Sequence, residues 1–172
     1  EAEEAANRTE EPCVVALSTT GMIGQEPVSG PRPATPGRHD VIAQRVATTT
    51  HSRLAAVTSR GRVFPLSVAT IPEVTGRSRG VALGELVPLD KGEEVLTLVA
   101  GGAGPDGDAP PVLLVTAQGV MKRVTAADLL GVTAGRPAIK LKPQDRVVAA
   151  TLAADGTDVV AVGSNAQVLR CE

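Results

Sequence analysis

The chain has 172 residues, a hydrophobic content of 42% and an aromatic content of only 1%. That length suits one domain or one compact repeat array. Its core must be built from Val, Leu, Ile and Ala, because Phe64 is the sole aromatic residue. The absence of Tyr and Trp excludes a tyrosine nucleophile and an aromatic platform for stacked bases within the chain.

The formal net charge is −2 and is unevenly placed. Residues 1–12 hold five Glu against Arg8, a net of −4, which leaves +2 on residues 13–172. The acidic start reads as a solvated tail or linker, and its chemistry is wrong for a signal peptide. Cys13 and Cys171 form no C-x-x-C pattern and are expected to be reduced thiols of a cytoplasmic protein. No apolar run reaches the ~18 residues of a membrane span, so none is expected.

Taken in order, the body opens on Val14–Gln25 (VVALSTTGMIGQ), an apolar strand, a small polar turn and a return strand, hence a β-hairpin. His39–Ala47 follows as a further strand. A second hairpin is expected at Leu54–Ser67 (LAAVTSRGRVFPLS). Gly80–Leu83 (GVAL) then reads as a short strand and Lys91–Val99 as a polar turn and a longer strand. Residues 101–111 (GGAGPDGDAPP) have no apolar periodicity and read as a flexible loop. The third hairpin, Leu113–Thr125 (LLVTAQGVMKRVT), needs φ > 0 at Gly119, and one helical turn capped by Thr125 is predicted after it. Ala138–Leu141 (AIKL) and Gln144–Leu152 repeat the short-strand, long-strand theme. Val159–Arg170 (VVAVGSNAQVLR) is the fourth hairpin, with Asn165-Ala166 at the turn, where Asn is the residue better suited to the left-handed conformation.

The turn positions 21, 61, 119 and 166 lie 40, 58 and 47 residues apart, and setting aside the eleven-residue loop brings the middle interval to 47. Four-stranded units recurring at about 40–50 residues predict an all-β, propeller-like array of roughly three to four blades. A plain β-sandwich is the competing fold, but the period favours the array. The organisation expected is therefore a tail at 1–12 and one β domain over 13–172.

The residues also carry a family resemblance. The hairpin pattern T-x-x-G followed by basic residues stands here as VTSRGRVFP and VTAQGVMKR. The run Thr50-His51, hairpin, Ile71-Pro72-Glu73, Arg77-x-x-Gly80 keeps a matching order and spacing. Over residues 13–172 the chain resembles the C-terminal domain of the A subunit of bacterial type IIA topoisomerases, that is, DNA gyrase and topoisomerase IV. The resemblance implies a β-pinwheel, a propeller whose blades exchange strands, and a non-catalytic domain that binds and bends duplex DNA on its rim. It implies as partners the ATPase B subunit together with the rest of the A subunit, in a bacterial, nucleoid-associated, ATP-dependent isomerase whose catalytic tyrosine lies outside this chain. Gyrase carries a Q-R-R-G-G-K-G box for wrapping. The corresponding Gly30–Asp40 has only Arg32, Gly37 and Arg38 as an echo. This departure favours topoisomerase IV, and the stretch from His39 to Arg62 looks most similar to that of high-GC Gram-positive bacteria.

DNA contacts in such a domain would be made to phosphates, with little sequence preference and a steep salt dependence. The candidates are Arg60, Arg62, Arg77, Arg79, Lys122, Arg123, Arg136, Lys140 and Lys142. Taken singly, each reads equally well as a solvated surface charge; the argument is the recurrence of basic residues after the turns. Lys122 and Arg123 point to opposite faces of their strand and cannot meet one duplex equally. The third hairpin, the most basic, is expected to grip DNA before the first. His39 and His51 have no ligand-spaced partners, Asp106 and Asp108 lack a calcium-ligand set, and no catalytic, cofactor or metal constellation is expected. The alternative is a propeller that recruits a protein partner without binding DNA, which would present a contiguous apolar patch.

Overall fold

The computed structural model describes residues 9–28, 39–74, 78, 80–101 and 109–171. The remainder of the expected tail and most of the expected loop fall outside them, as does nearly all of Gly30–Asp40. The first blade consists of β1 (Pro12–Ser18), β2 (Met22–Pro27) and β3 (Ile42–Thr49). Blade 2 holds β4 (Arg53–Thr58), β5 (Arg62–Ser67) and, after the two-residue β6 (Val81–Ala82), β7 (Val95–Ala100). Blade 3 holds β8 (Val112–Thr116), β9 (Met121–Val124) and, after the two-residue β10 (Arg136–Pro137), β11 (Val147–Leu152). Blade 4 is the hairpin β12 (Val159–Val162) and β13 (Val168–Cys171). All four hairpins stand where the repeat predicts them.

The same turn builds the first three hairpins. Gly21, Gly61 and Gly119 adopt φ of 80°, 70° and 80°. Their N–H groups donate to the carbonyls of Ser18, Thr58 and Thr116 at 3.1, 2.9 and 3.0 Å. A left-handed residue closing a three-residue loop displaces the next N–H from the ladder. The hydroxyl three residues before the glycine receives it: Met22 N–H donates to Ser18 Oγ at 3.1 Å, Arg62 N–H to Thr58 Oγ1 at 3.2 Å and Val120 N–H to Thr116 Oγ1 at 3.1 Å. The T-x-x-G signature is thus one acceptor and one permissive backbone position. In blade 4 the positive φ, 60°, falls on Ala166 and not on Asn165, and Gly163 has no hydroxyl to offer.

Strand order is β3-β1-β2-β6 in blade 1, β10-β5-β4-β7 in blade 2 and β11-β8-β9 in blade 3. The outermost strands are borrowed. β6 follows the hairpin of blade 2 yet pairs with β2, Val81 opposite Ile23; β10 follows the hairpin of blade 3 yet pairs with β5, Arg136 opposite Val63. This corrects one alignment. The counterpart of Gly80–Leu83 is Gly135–Ala138 and not Ala138–Leu141, because Leu83 N–H donates to Gly21 O at 2.9 Å as Ala138 N–H donates to Gly61 O at 2.8 Å. The segment from exchanged strand to blade-closing strand is three residues shorter in the third repeat, 136–146 against 81–94, which the hairpin spacing conceals.

Blade 2 is buried on both faces, with side chains alternating along β4. Leu54 and Ala56 join Val15, Leu17, Ile23, Phe64 and Leu98 in one core with blade 1. Ala55 and Val57 join Val63, Val112, Leu114, Leu129 and Val147 in a second core with blade 3. Hence the unbroken apolar run of the sequence. Polar links supplement the first core: Gln44 Nε2 donates to Leu98 O while its Oε1 accepts from Leu98 N–H, both at 2.8 Å. Helix is scarce. α1 (Leu83–Leu86) begins on the last residue of the expected short strand Gly80–Leu83 and continues directly from β6, and α2 (Ala126–Leu130) is the predicted turn, with Thr125 Oγ1 accepting from Asp128 N–H at 3.1 Å. No helix among the described residues is long and apolar enough to cross a membrane.

Candidate nucleic-acid interface

The basic residues gather where the exchanged segments cross the hairpin turns. Two crossovers are equivalent by their hydrogen bonds. In blade 2, Ser59 N–H donates to Glu94 O at 2.8 Å; in blade 3, Ala117 N–H donates to Arg146 O at 2.8 Å. A four-residue turn precedes each, Asp90–Glu93 and Lys142–Asp145, closed by N–H···O bonds of 3.0 and 3.1 Å, with Gly92 and Gln144 at φ 74° and 63°. Asp90, Glu93 and Glu94 therefore correspond to Lys142, Asp145 and Arg146.

One acid of each turn clasps the hairpin. Glu93, with no exposed side-chain surface, accepts from Thr58 Oγ1 at 2.5 Å, from Asp90 N–H at 3.0 Å and from the Arg62 guanidinium. Burial alone would raise its carboxyl. The Arg62 and Thr58 hydrogen bonds, the Asp90 amide and the Arg62 charge outweigh that and lower it from 4.5 to about 2. Asp145 accepts from Gln118 N–H at 3.1 Å and Arg146 N–H at 2.9 Å. It too lies below the usual carboxylate range: burial opposes, while hydrogen bonding and the Lys142 charge prevail. In blade 1, Asp40 takes this place, accepting from Thr19 Oγ1 at 3.0 Å and Thr20 N–H at 3.1 Å.

The structure sorts the candidate cations by what they already hold. Arg62 is half-buried, bound to Glu93 and lying over the Phe64 ring at 5.1 Å. Its commitment is to the blade 2 turn. Arg60 pairs with Asp90 at 2.6 Å and reaches Lys91 O at 3.2 Å. Arg123 pairs with Asp155, and Lys122 Nζ donates to Ala138 O at 2.6 Å, so the two side chains serve different neighbours, as their strand positions require. Arg136, Lys140 and Lys142 are exposed and form no ion pair among the described residues, although the Lys142 charge reaches Asp145. Arg77 and Arg79 lie outside the described residues.

Sequence reasoning missed Arg146, exposed and likewise without an ion pair among the described residues, and exposed Arg53. Comparing charges between equivalent crossovers would have marked Arg146. That requires the alignment which the three-residue difference obscures. His39 and His51 are both exposed, and no group of three His, Cys, Asp or Glu among the described residues is placed to hold a metal ion.

The family model described as "DNA gyrase C-terminal domain, beta-propeller" matches residues 53–100 and 111–154. These two stretches are blades 2 and 3, with the expected loop between them. The chain belongs to this family. Among curated relatives, the DNA gyrase A subunit of Treponema pallidum (strain Nichols) is 32% identical over 93% of the chain and 21% of the relative. The DNA gyrase A subunit of Escherichia coli (strain K12) is 28% identical over 94% and 20%. The chain thus spans about a fifth of the length of these relatives. Two solved structures share the fold. The C-terminal domain of DNA topoisomerase IV has a TM-score of 0.77 at 18% identity, covering 94% of this chain and 52% of that one. The E. coli ParC C-terminal domain has a TM-score of 0.74 at 21% identity, covering 94% and 64%. The expected β-pinwheel is therefore the fold of a gyrase C-terminal-domain family member, with strand exchange visible in β6 and β10.

Proposed function

We propose that this domain binds and bends duplex DNA as the non-catalytic C-terminal part of a type IIA topoisomerase A subunit. Its partners in the bacterial cytoplasm are an ATPase B subunit together with the remainder of its own A subunit. The observation that carries the reading is a gyrase-family blade array bearing exposed Arg136, Lys140, Lys142 and Arg146, none of which forms an ion pair among the described residues. Cations so placed exchange condensed counterions for phosphates without reading bases. We further assign the chain to the topoisomerase IV type, on the lack of a basic glycine-rich box in residues 30–40. A mobility shift with a duplex longer than ~30 base pairs is expected to show binding at low salt that collapses as salt rises. Absence of binding at low salt would sink the reading. Ligation of a nicked plasmid with the domain bound separates the two enzyme types. Retained binding with no change in linking number is expected, whereas a clear positive writhe would indicate gyrase-type wrapping.

One observation favours the alternative of a protein-recruiting propeller. Val160, Val162 and Val168 share one face of the blade 4 hairpin and are 59%, 71% and 66% exposed, an apolar surface of the kind that reading expects. In blades 1 and 2 the corresponding hairpins are buried against the following blade, so the patch is equally an uncovered blade face. The same mobility shift discriminates, since a purely protein-recruiting domain leaves the duplex unshifted.

A further inference from the structure

The two equivalent crossovers carry opposite charge. Residues 81–94 hold Glu85, Asp90, Glu93 and Glu94 against Lys91, a net of −3; residues 136–146 hold Arg136, Lys140, Lys142 and Arg146 against Asp145, a net of +3. The inversion is positional as well as total, because Lys142 stands where blade 2 has Asp90, and Arg146 where it has Glu94. The acidic crossover spends its carboxylates on Arg60 and Arg62, so the arginines of the blade 2 turn are already neutralised. The basic crossover meets Gln118 and Val120 at the corresponding turn positions, and Gln118 Nε2 donates to Pro143 O at 3.3 Å where Arg60 meets Lys91 O. Neither turn residue offsets its cations. The segment is also fixed at both ends and in its middle: β10 on blade 2, Ala138 N–H on Gly61 O, Lys122 Nζ on Ala138 O, and Val147 N–H on Ser59 O at 2.8 Å. Its exposed charges sit on a backbone held against two blades at once.

We infer that the crossover 136–146 is the phosphate-gripping strip of this domain, spanning blades 2 and 3, and that the acidic crossover 81–94 withholds the blade 2 turn from DNA. The inference rests on the proposed DNA-binding function and makes it directional. A duplex seats on the blade 3 side of the Gly61 turn and is repelled on the Asp90 side. Arg60, Arg62 and Arg123 contribute little because each is paired with a carboxylate, and Lys122 is turned to the Ala138 carbonyl. For Arg60 and Arg123, which are exposed, such pairs hold the charge without adding much stability.

The test is fluorescence anisotropy of the 172-residue chain with a labelled duplex of about 40 base pairs across a salt series. Wild type establishes whether DNA is bound at all. Replacing Arg136, Lys140, Lys142 and Arg146 together by Gln should weaken binding at least about tenfold near 0.1 M salt and reduce the log–log salt slope by about 3 to 4. R60Q should change affinity less than about twofold, and D90N, which frees Arg60 and removes a carboxylate, should tighten binding about two- to threefold. Thermal melting checks folding; should the fourfold variant melt early, K140Q/R146Q carries the same test with about half the slope change. Wild-type binding with an unaltered fourfold variant, or a loss from R60Q as large as from the crossover, would overturn the inference while leaving DNA binding intact. A wild type that does not bind would overturn the functional reading itself, and the strip with it.

Discussion

The crossovers 81–94 and 136–146 follow one path through two neighbouring blades, yet they are held by different means. Each begins at a glycine with φ of 79°, lays a two-residue strand on the previous blade and ends in an acid-bearing turn beneath a hairpin. At Gly80 the backbone of blade 1 is in direct contact: a Cβ there would overlap the Ile23 carbonyl. At Gly135 a Cβ would meet only the Phe64 ring, at an ordinary 3.6 Å. At the far end, Glu93 is sealed from solvent and bound by an arginine, whereas Asp145 is partly exposed and accepts mainly backbone amides. The blade 1–2 junction invests its charges in the fold. The blade 2–3 junction relies on apolar packing, notably Ile139 against Gly61, and leaves its charges outward. A repeat can thus hold its topology constant while moving charge between stability and binding.

The glycines give the largest expected contrast. Gly80→Ala combines left-handed strain with a backbone overlap that no rotamer relieves, and should cost at least about 3 kcal/mol, releasing β6 from blade 1. Gly135→Ala carries only the strain, about 1–2 kcal/mol. Urea unfolding of both variants measures this; equal losses would mean that the two exchanged strands are docked alike, and the comparison would fail.

The acid clasps come next. Glu93→Gln leaves half-buried Arg62 with only the exposed Asp90, at 3.2 Å, as countercharge and should cost about 2 kcal/mol, while Asp145→Asn, keeping an acceptor for its amides, should cost about 1 kcal/mol or less. The same difference has a pH signature. The carboxyl of Glu93 is lower in the folded state, about 2, than its ordinary 4.5. Its contribution is therefore complete above about pH 4.5 and is lost as pH falls toward 2. Unfolding free energies measured from about pH 6 to 2.5 should fall more steeply for wild type than for Glu93→Gln. Parallel curves would show that the pair does not stabilise the fold.

How much of this could be read from the sequence follows from what each feature depends on. Hairpins were legible because they are local: Thr58 and Gly61, or Thr116 and Gly119, supply both the acceptor and the left-handed position within four residues. The burial of β4 on both faces showed as the run Leu54–Val57. Family membership was legible from the order of several such motifs. The exchanged strands were not locatable by pattern, because two residues have no period and their pairing is to the preceding blade. Ala138–Leu141 looked like the partner of Gly80–Leu83 only because the hairpin spacing was carried past a three-residue difference. Nor could the sequence sort the cations. Arg60 and Lys142 look alike along the chain, and only the turn Asp90–Glu93 beneath Arg60 distinguishes them. In blade 4, the expected left-handed Asn165 proved to be Ala166, since the position in the turn outranks residue preference there.

The smallest effect probes the turn on which the inversion pivots. Gln144 adopts φ 63° where blade 2 has Gly92 at 74°. A non-glycine residue in that conformation carries strain of about 1 kcal/mol, and glycine relieves it at the expense of greater freedom in the unfolded chain. Gln144→Gly should therefore stabilise the fold by no more than about 1 kcal/mol, and Gly92→Gln, which carries the same strain as Gly135→Ala, should destabilise blade 2 by about 1 kcal/mol. Neither change alters charge, so DNA affinity should stay at wild-type values in anisotropy while the unfolding midpoint in urea moves. If Gln144→Gly instead weakened DNA binding, the rigidity of the Lys142–Asp145 turn would matter to the grip as much as its charge. The contrast between the junctions would then be one of backbone stiffness as well as of sign.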